Sequence, residues 1–246
     1  FIIPMGEAIW SADPVAFDRF PARYFAQFFK NHGFLEVRNQ PQWLTIKGGS
    51  RQYIRPITEP FRDRIRLNSP VRSVRRRPGG VEVEAAGGRP EAFDKVVIAA
   101  HSDQALSLLA DASEAERSVL GAIPYQENHT ILHTDSSILP KKRAAWASWN
   151  YHIPKQALGR VAVTYYMNML QSLDAPAAFC VSLNLQAAVD RRKVIKPMVY
   201  HHPVYNPESL AARGRLKEIN GVNHTFFAGA YWGYGFHEDG VNSALE

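Results

Sequence analysis

The sequence predicts an α/β (α+β) protein in which two kinds of sheet alternate along the chain. Three observations predict it. The run Val96–Ala100 is continuously apolar, as a strand buried on both faces of a parallel sheet would be. From Glu127 onward, strand-like segments alternate with turn-rich stretches, the pattern of an antiparallel sheet. Apolar residues at helical spacing recur between these strands. The parallel signal occupies 43–110 and 223–246, and the antiparallel sheet with helices occupies 1–42 and 111–222. The chain is therefore expected to pass twice between two domains.

Residues 14–31 carry Val15, Phe17, Phe20, Tyr24, Phe25, Phe28 and Phe29 at helical spacing, with Asp13 as N-cap and Pro14 at the first position. Pro21 should kink or split this helix, and Gly33 should end it. "WLTI" (43–46) reads as a short strand, then Gly48-Gly49-Ser50 opens a helix broken near Pro56 or Pro60. "RIRL" (64–67) reads as another strand. "VRSVRRR" and "VEVEAA" flank Pro78-Gly79-Gly80 as a hairpin. "AFDKVVIAA" (92–100) is a strand, with Ser102 or Asp103 capping the helix that follows. Ser113 and Glu116 form a capping box for a helix over 111–123. "NHTILHT", "AAWASWNY", "RVAVTYYMN" and "AFCVSLN" are the antiparallel strands. A helix over 207–219, a strand "HTFFAGAY" and a last helix starting at Asp239 complete the chain.

Composition narrows the function. Of the 246 residues, 46% are hydrophobic and 21% charged, which is ordinary for a globular protein. No apolar run approaches the roughly 20 residues of a membrane span. The N-terminus lacks the pattern of a signal peptide. The single cysteine, Cys180, excludes an internal disulfide and fits a reducing compartment, so a cytoplasmic location is expected. Phe1 is not an initiator, and Leu245-Glu246 resembles the scar before a purification tag. The chain thus reads as an engineered fragment of a longer protein. The net charge of +6 gathers at Arg75–Arg77, Lys141–Arg143 and Arg191–Lys193. Each cluster lies near a predicted turn and none is interleaved with aromatics, so solvated charge is expected rather than a nucleic-acid surface.

Among candidate chemistries, His101-Ser102-Asp103 has the residue types of a hydrolase triad. Three consecutive side chains diverge, however, and cannot form the required hydrogen-bond chain. His129 and His133 share one strand face and His201-His202 is a second pair, but neither comes with the three or four ligands a metal needs. The GxGxxG dinucleotide fingerprint is absent. Gly48-Gly49-Ser50 before a helix could receive a phosphate. The more specific signal is "GAYWGYGFHEDG", whose glycine density, aromatics and acidic-Gly helix start exceed what a connector needs.

Together with "PQWLTIKGGSRQYI", "LNSPVRSVRRRPGGVEVEAAGGRPEAFDKVVIAAHSDQAL", "LHTD" and "SWNY", these motifs resemble the flavin-dependent amine oxidase and protoporphyrinogen oxidase-like family. The nearest likeness is to a bacterial branch of NAD/FAD-binding, amine-oxidase-like proteins. The resemblance implies an antiparallel-sheet substrate domain inserted between pieces of an incomplete Rossmann-like FAD domain, with the GxGxxG unit upstream of Phe1. It implies FAD as cofactor, held by Gly48, Gly49, Ser50, Val71, Gly229, Asp239 and Gly240, with His237 and Tyr234 as substrate-facing catalytic candidates. Two departures stand out. Gly229 is followed by Ala230 and Tyr231 where many relatives carry a Glu, and no lysine can be placed near flavin N5.

The implied function is hydride removal from an apolar or amine substrate to FAD. A lipid- or carotenoid-type desaturase or isomerase is the alternative enzyme, and a non-catalytic flavin-binding partner module the alternative class. The implied partner is a small apolar molecule, bound where Trp146, Trp149, Tyr151, Tyr165, Met167 and Phe179 face the Gly233–Gly240 turn. The fragment itself is expected to hold FAD poorly, to be inactive, and to self-associate through the edge at Val96–Ala100.

Overall fold

The computed structural model describes residues 2–36, 38, 41–153 and 159–246. Helices α1 (Ile2–Trp10), α2 (Pro14–Phe17), α3 (Ala22–Asn31) and α4 (Ile54–Thr58) come first. The hairpin β1 (Val71–Arg77) and β2 (Gly80–Ala85) follows, then β3 (Glu91–Phe93), β4 (Val96–Ile98), α5 (Ser102–Leu108) and α6 (Glu114–Leu120). Next are β5 (Tyr125–His133), β6 (Trp149–Tyr151), β7 (Val163–Tyr166), α7 (Met167–Leu170), β8 (Cys180–Leu183) and β9 (Val194–Pro203). Helix α8 (Pro207–Arg213), β10 (Thr225–Phe227) and α9 (His237–Leu245) end the chain.

These elements divide into two units: residues 1–18, 22–65 and 126–202, and residues 19–21, 66–125 and 203–246. Both units are assembled from segments separated along the chain: residues 43–65 belong to the first, and 111–125 and 203–222 to the second. The second grouping has a physical cause: Val119 and Leu120 of α6, together with Leu216 and Ile219, bury their side chains in the same core as Ile98 and Phe227.

The first unit is built on a five-stranded sheet, ordered β6-β7-β8-β5-β9, with β6/β7, β7/β8 and β8/β5 antiparallel. Ala8 of α1 packs on Val161 and Val163, and the Tyr151 hydroxyl donates to the buried Glu7 carboxylate. Helix α1 was not expected, because Pro4 and Gly6 lower its propensity. Pro4 lies in the first turn, where its missing N–H costs nothing. Gly6 is required by packing, since a Cβ there would sit 2.2 Å from Cζ of Phe17. The helix expected over 14–31 is split at Pro21, as anticipated. Its Asp13 does not cap, however; the carboxylate accepts from Val161 N–H at 3.2 Å. Residues 43–46 and 64–67 are not strands; no strand pairs with them among the described residues, and Trp43 and Leu44 are exposed. Strand β9 was not among the expected strands; it contains Pro197, which its edge position tolerates.

The second unit holds the sheet β1-β2-β3 and a parallel pair, β4 with β10. The hairpin forms as expected, with Gly79 in the left-handed region (φ +80°). The long strand expected over 92–100 is two strands in different sheets, and β4 is not buried on both faces, for Val97 is 61% exposed. The Ser113–Glu116 capping box is present. Arg76, expected to be solvated, is buried: its guanidinium pairs with Asp111 at 2.9 Å and with the buried Glu116, and its Nε donates to Thr225 at 3.1 Å. Neither Ser102 nor Asp103 is the cap of α5; that position is His101, and Ser102 is the first helical residue.

Candidate functional site

In the second unit, the parallel strands β4 and β10 end beside one another, and ligands of open α/β sheets bind outside such carboxyl ends. After β10, Gly229 is followed by a single turn of 3₁₀ helix (Ala230–Trp232) and a glycine-rich approach to α9. Three close contacts shape this segment. A Cβ on Gly229 would lie 2.3 Å from the Tyr231 ring, so only glycine lets that ring fold back. A Cβ on Gly233 would lie 2.1 Å from the Asp239 carboxylate. Gly229 N–H donates to Ser243 Oγ at 2.9 Å, tying the strand end to α9.

The expected site residues separate accordingly. Gly229, Tyr234, His237, Asp239 and Gly240 fall in this one segment. Helix α9 begins at His237, two residues before the expected start, and His237 is exposed there. Asp239 accepts the Phe236 N–H at 2.9 Å and so caps its own helix. The Tyr234 phenol is pushed above its usual pKa by burial, with Arg213 opposing and Asp239 reinforcing the shift. Val71 opens β1 in the same unit. Gly48, Gly49 and Ser50 belong to the other unit, where both glycines adopt φ near +84° and Ser50 begins a 3₁₀ turn.

Sequence reasoning missed the polar atoms that close this edge. His101 stacks on Tyr125 with ring centroids 4.6 Å apart, and Ser102 N–H donates to the Tyr125 hydroxyl at 3.0 Å. The Ser102 hydroxyl lies beside that phenol, and the Tyr231 phenol beside the Trp232 indole N–H, but both pairs fall outside hydrogen-bond geometry. His101 Nδ1, Ser102 Oγ, Tyr231 Oη and Trp232 Nε1 are thus buried without a partner among the described residues. Burial pushes both the Tyr125 and Tyr231 phenols up, so they stay protonated donors. Unmatched buried polar atoms of this kind are rare in proteins. Their gathering at a strand edge fits a polar ligand such as the acceptor-rich part of a flavin nucleotide. The signal for them in the sequence is His101-Ser102 itself, directly after the apolar run of β4.

The first unit contains a buried polar chain: His133 Nε2 meets Ser182 Oγ at 2.8 Å, Ser182 meets Thr164 Oγ1 at 2.7 Å, and Thr164 meets His152 Nε2 at 2.9 Å. It is no Ser-His-Asp triad. His133 Nδ1 accepts from the Asp135 backbone N–H, and His133, Ser182 and Thr164 are closed to solvent. Among the described residues, no three His, Cys, Asp or Glu stand close enough to hold a metal. No helix among them is long and apolar enough to cross a membrane.

A family model described as flavin containing amine oxidoreductase matches residues 6–133. No curated protein matches the chain. Among solved structures, the CLA-producing fatty acid isomerase from P. acnes superposes with a TM-score of 0.65 at 16% identity, over 98% of this chain and 62% of its own. Cyclohexylamine oxidase from Brevibacterium oxydans IH-35A gives 0.63 at 16% identity, over 98% and 61%. Putrescine oxidase bound to putrescine gives 0.54 at 12% identity, over 81% and 52%. At these identities the likeness is one of fold, and the chain spans about three-fifths of the length of the first two.

Proposed function

We propose, from the premise that the chain belongs to the flavin-containing amine oxidoreductase family, that it forms part of an FAD-dependent oxidoreductase acting on an apolar or amine substrate. The observation that carries this reading is the set of unpartnered buried polar atoms on His101, Ser102, Tyr231 and Trp232 at the carboxyl edge of β4 and β10. Bound FAD would accept a hydride from a substrate C–H bond. The chain's own residues would hold and orient it. Gly229 would permit close approach of the backbone, and Tyr231, Trp232 and Ser102 would supply hydrogen-bond donors to the cofactor. Val71 and Gly240 would be further cofactor contacts carried over from the family resemblance. Asp239 acts indirectly, by fixing the first turn of α9. Tyr234 and His237 are the substrate-facing candidates, the phenol as a hydrogen-bond donor and the imidazole as a donor or proton carrier.

The fold likeness to the P. acnes fatty acid isomerase favours a second reading, a lipid-type desaturase or isomerase on the same scaffold. The two readings separate on substrate. The protein expressed from its complete reading frame is mixed anaerobically with apolar amines or with unsaturated fatty acids. Bleaching of the flavin band by an amine supports oxidation, and double-bond migration without net bleaching supports isomerisation. A flavin band that neither changes nor accompanies product would leave the non-catalytic flavin-binding role.

A further inference from the structure

The first unit also holds a cavity of about 400 Å³, lined by Arg143, Trp146, Tyr166, Met169, Leu173 and Asp174 among others. Its size falls within the range of small-molecule sites. Its walls are fixed. The Trp146 indole N–H donates to the Pro140 carbonyl at 2.8 Å, so the ring offers the cavity only its apolar surface. Tyr166 meets that ring edge-on at 5.1 Å. Asn168 spends its side chain on Ala177 and Phe179, strapping α7 to the start of β8. Met169, Leu173 and Ala175 continue the apolar lining.

Two charges remain at this cavity, and neither side chain has an ion-pair or hydrogen-bond partner among the described residues. The Arg143 guanidinium lies over the Trp146 ring at 5.3 Å. This contact holds a long side chain in place while leaving its N–H fork available. Asp174 is the opposing charge. The balance favours the cation, because Lys141 and Lys142 are exposed next to Arg143 and raise the local positive potential. An apolar chain therefore fits against Met169, Leu173 and Tyr166, and an anionic planar head fits the guanidinium fork.

We propose that this cavity binds an apolar carboxylate, with Arg143 reading the carboxylate and the Trp146–Tyr166 wall the chain. Such a ligand would supply a substrate class for the oxidoreductase reading, but its binding needs no flavin, so this site and that reading fail separately. The test is calorimetric titration of the protein with decanoate below its micelle concentration. Saturable binding at one site is expected, with methyl decanoate and decylamine each at least about tenfold weaker. Arg143→Gln, an exposed change, should weaken decanoate about tenfold with unchanged circular dichroism, and Met169→Glu should weaken it as much by placing a like charge in the cavity. Absence of saturable binding, equal binding of the ester, tighter binding of the amine, or indifference to both variants would each overturn the assignment.

Discussion

His133 takes one tautomer because of its neighbours. Nδ1 accepts the Asp135 N–H at 3.1 Å, so Nε2 carries the proton and donates to Ser182; beyond it the Ser182 and Thr164 hydroxyls share a hydrogen bond, and Thr164 shares one with His152 Nε2. Protonating His133 would place a proton on Nδ1 and break the bond from the Asp135 N–H. Burial lowers the pKa of both imidazoles, with the Asp135 charge pulling His133 the other way. A lowered folded pKa favours the neutral form. The associated stability is full above the ordinary imidazole value of about 6.5 and is lost as pH falls below it. Urea midpoints should therefore be level above neutrality and decline towards pH 5, and a level profile throughout would contradict the tautomer assignment. Ser182→Ala, which strands two buried partners, should cost about 1–3 kcal/mol. Tyr231→Phe makes the opposite case. Its hydroxyl has no hydrogen-bond partner among the described residues, so melting should be unchanged or slightly raised while flavin affinity falls; a clear loss of stability would mean the hydroxyl serves the fold. The sequence places His133 on a strand face, in the core or at the surface, outside any metal set. Its hydrogen-bonded chain was not legible, because Ser182 lies 49 residues away and only strand register brings the two together.

Elements with local signals were the legible ones. The β1–β2 hairpin, the Ser113–Glu116 box and the break at Pro21 each depend on residues within a few positions of one another. Elements that depend on a distant neighbour were not legible: residues 43–46 have strand composition but no strand partner among the described residues, and β9 is a strand despite Pro197. The Arg75–Arg77 run shows the same limit, since β1 points Arg76 inward to carboxylates 35 and 40 residues away. Burial opposes ionisation of Asp111, but hydrogen bonds from the Arg76 side chain and backbone outweigh it and hold the carboxyl below its usual pKa. Arg76→Leu leaves the Glu116 carboxylate buried without its cation and should cost about 3–5 kcal/mol in denaturant unfolding, whereas Arg75→Leu should cost almost nothing. Equal effects would place Arg76 in solvent. In the candidate site, the glycine-rich segment was legible from composition, but the role of Asp239 was not. Gly233→Ala would press on its carboxylate, and loss of the cap should lower stability by about 0.5–2 kcal/mol.

At the scale of the whole molecule, the alternation of a parallel with an antiparallel region was readable from apolar patterning. The unit boundaries were not, because α6 and the segment around Leu216 carry no mark in the sequence of which core they serve. Strand β4 pairs with β10 alone among the described residues, and its Val97 is exposed, so we expect a mass by light scattering that rises with concentration and that Val97→Lys suppresses. The carboxyl edge of β4 and β10 is the proposed receiving site for the flavin. The most direct measurement is the visible spectrum of the protein expressed from its complete reading frame, beside that of a Tyr231→Phe, Ser102→Ala double variant. Bound FAD is expected in the first and a several-fold loss of occupancy in the second, at unchanged melting before flavin is added. A colourless protein that takes up no added FAD, or a double variant that holds FAD as firmly as the parent, would contradict that proposal.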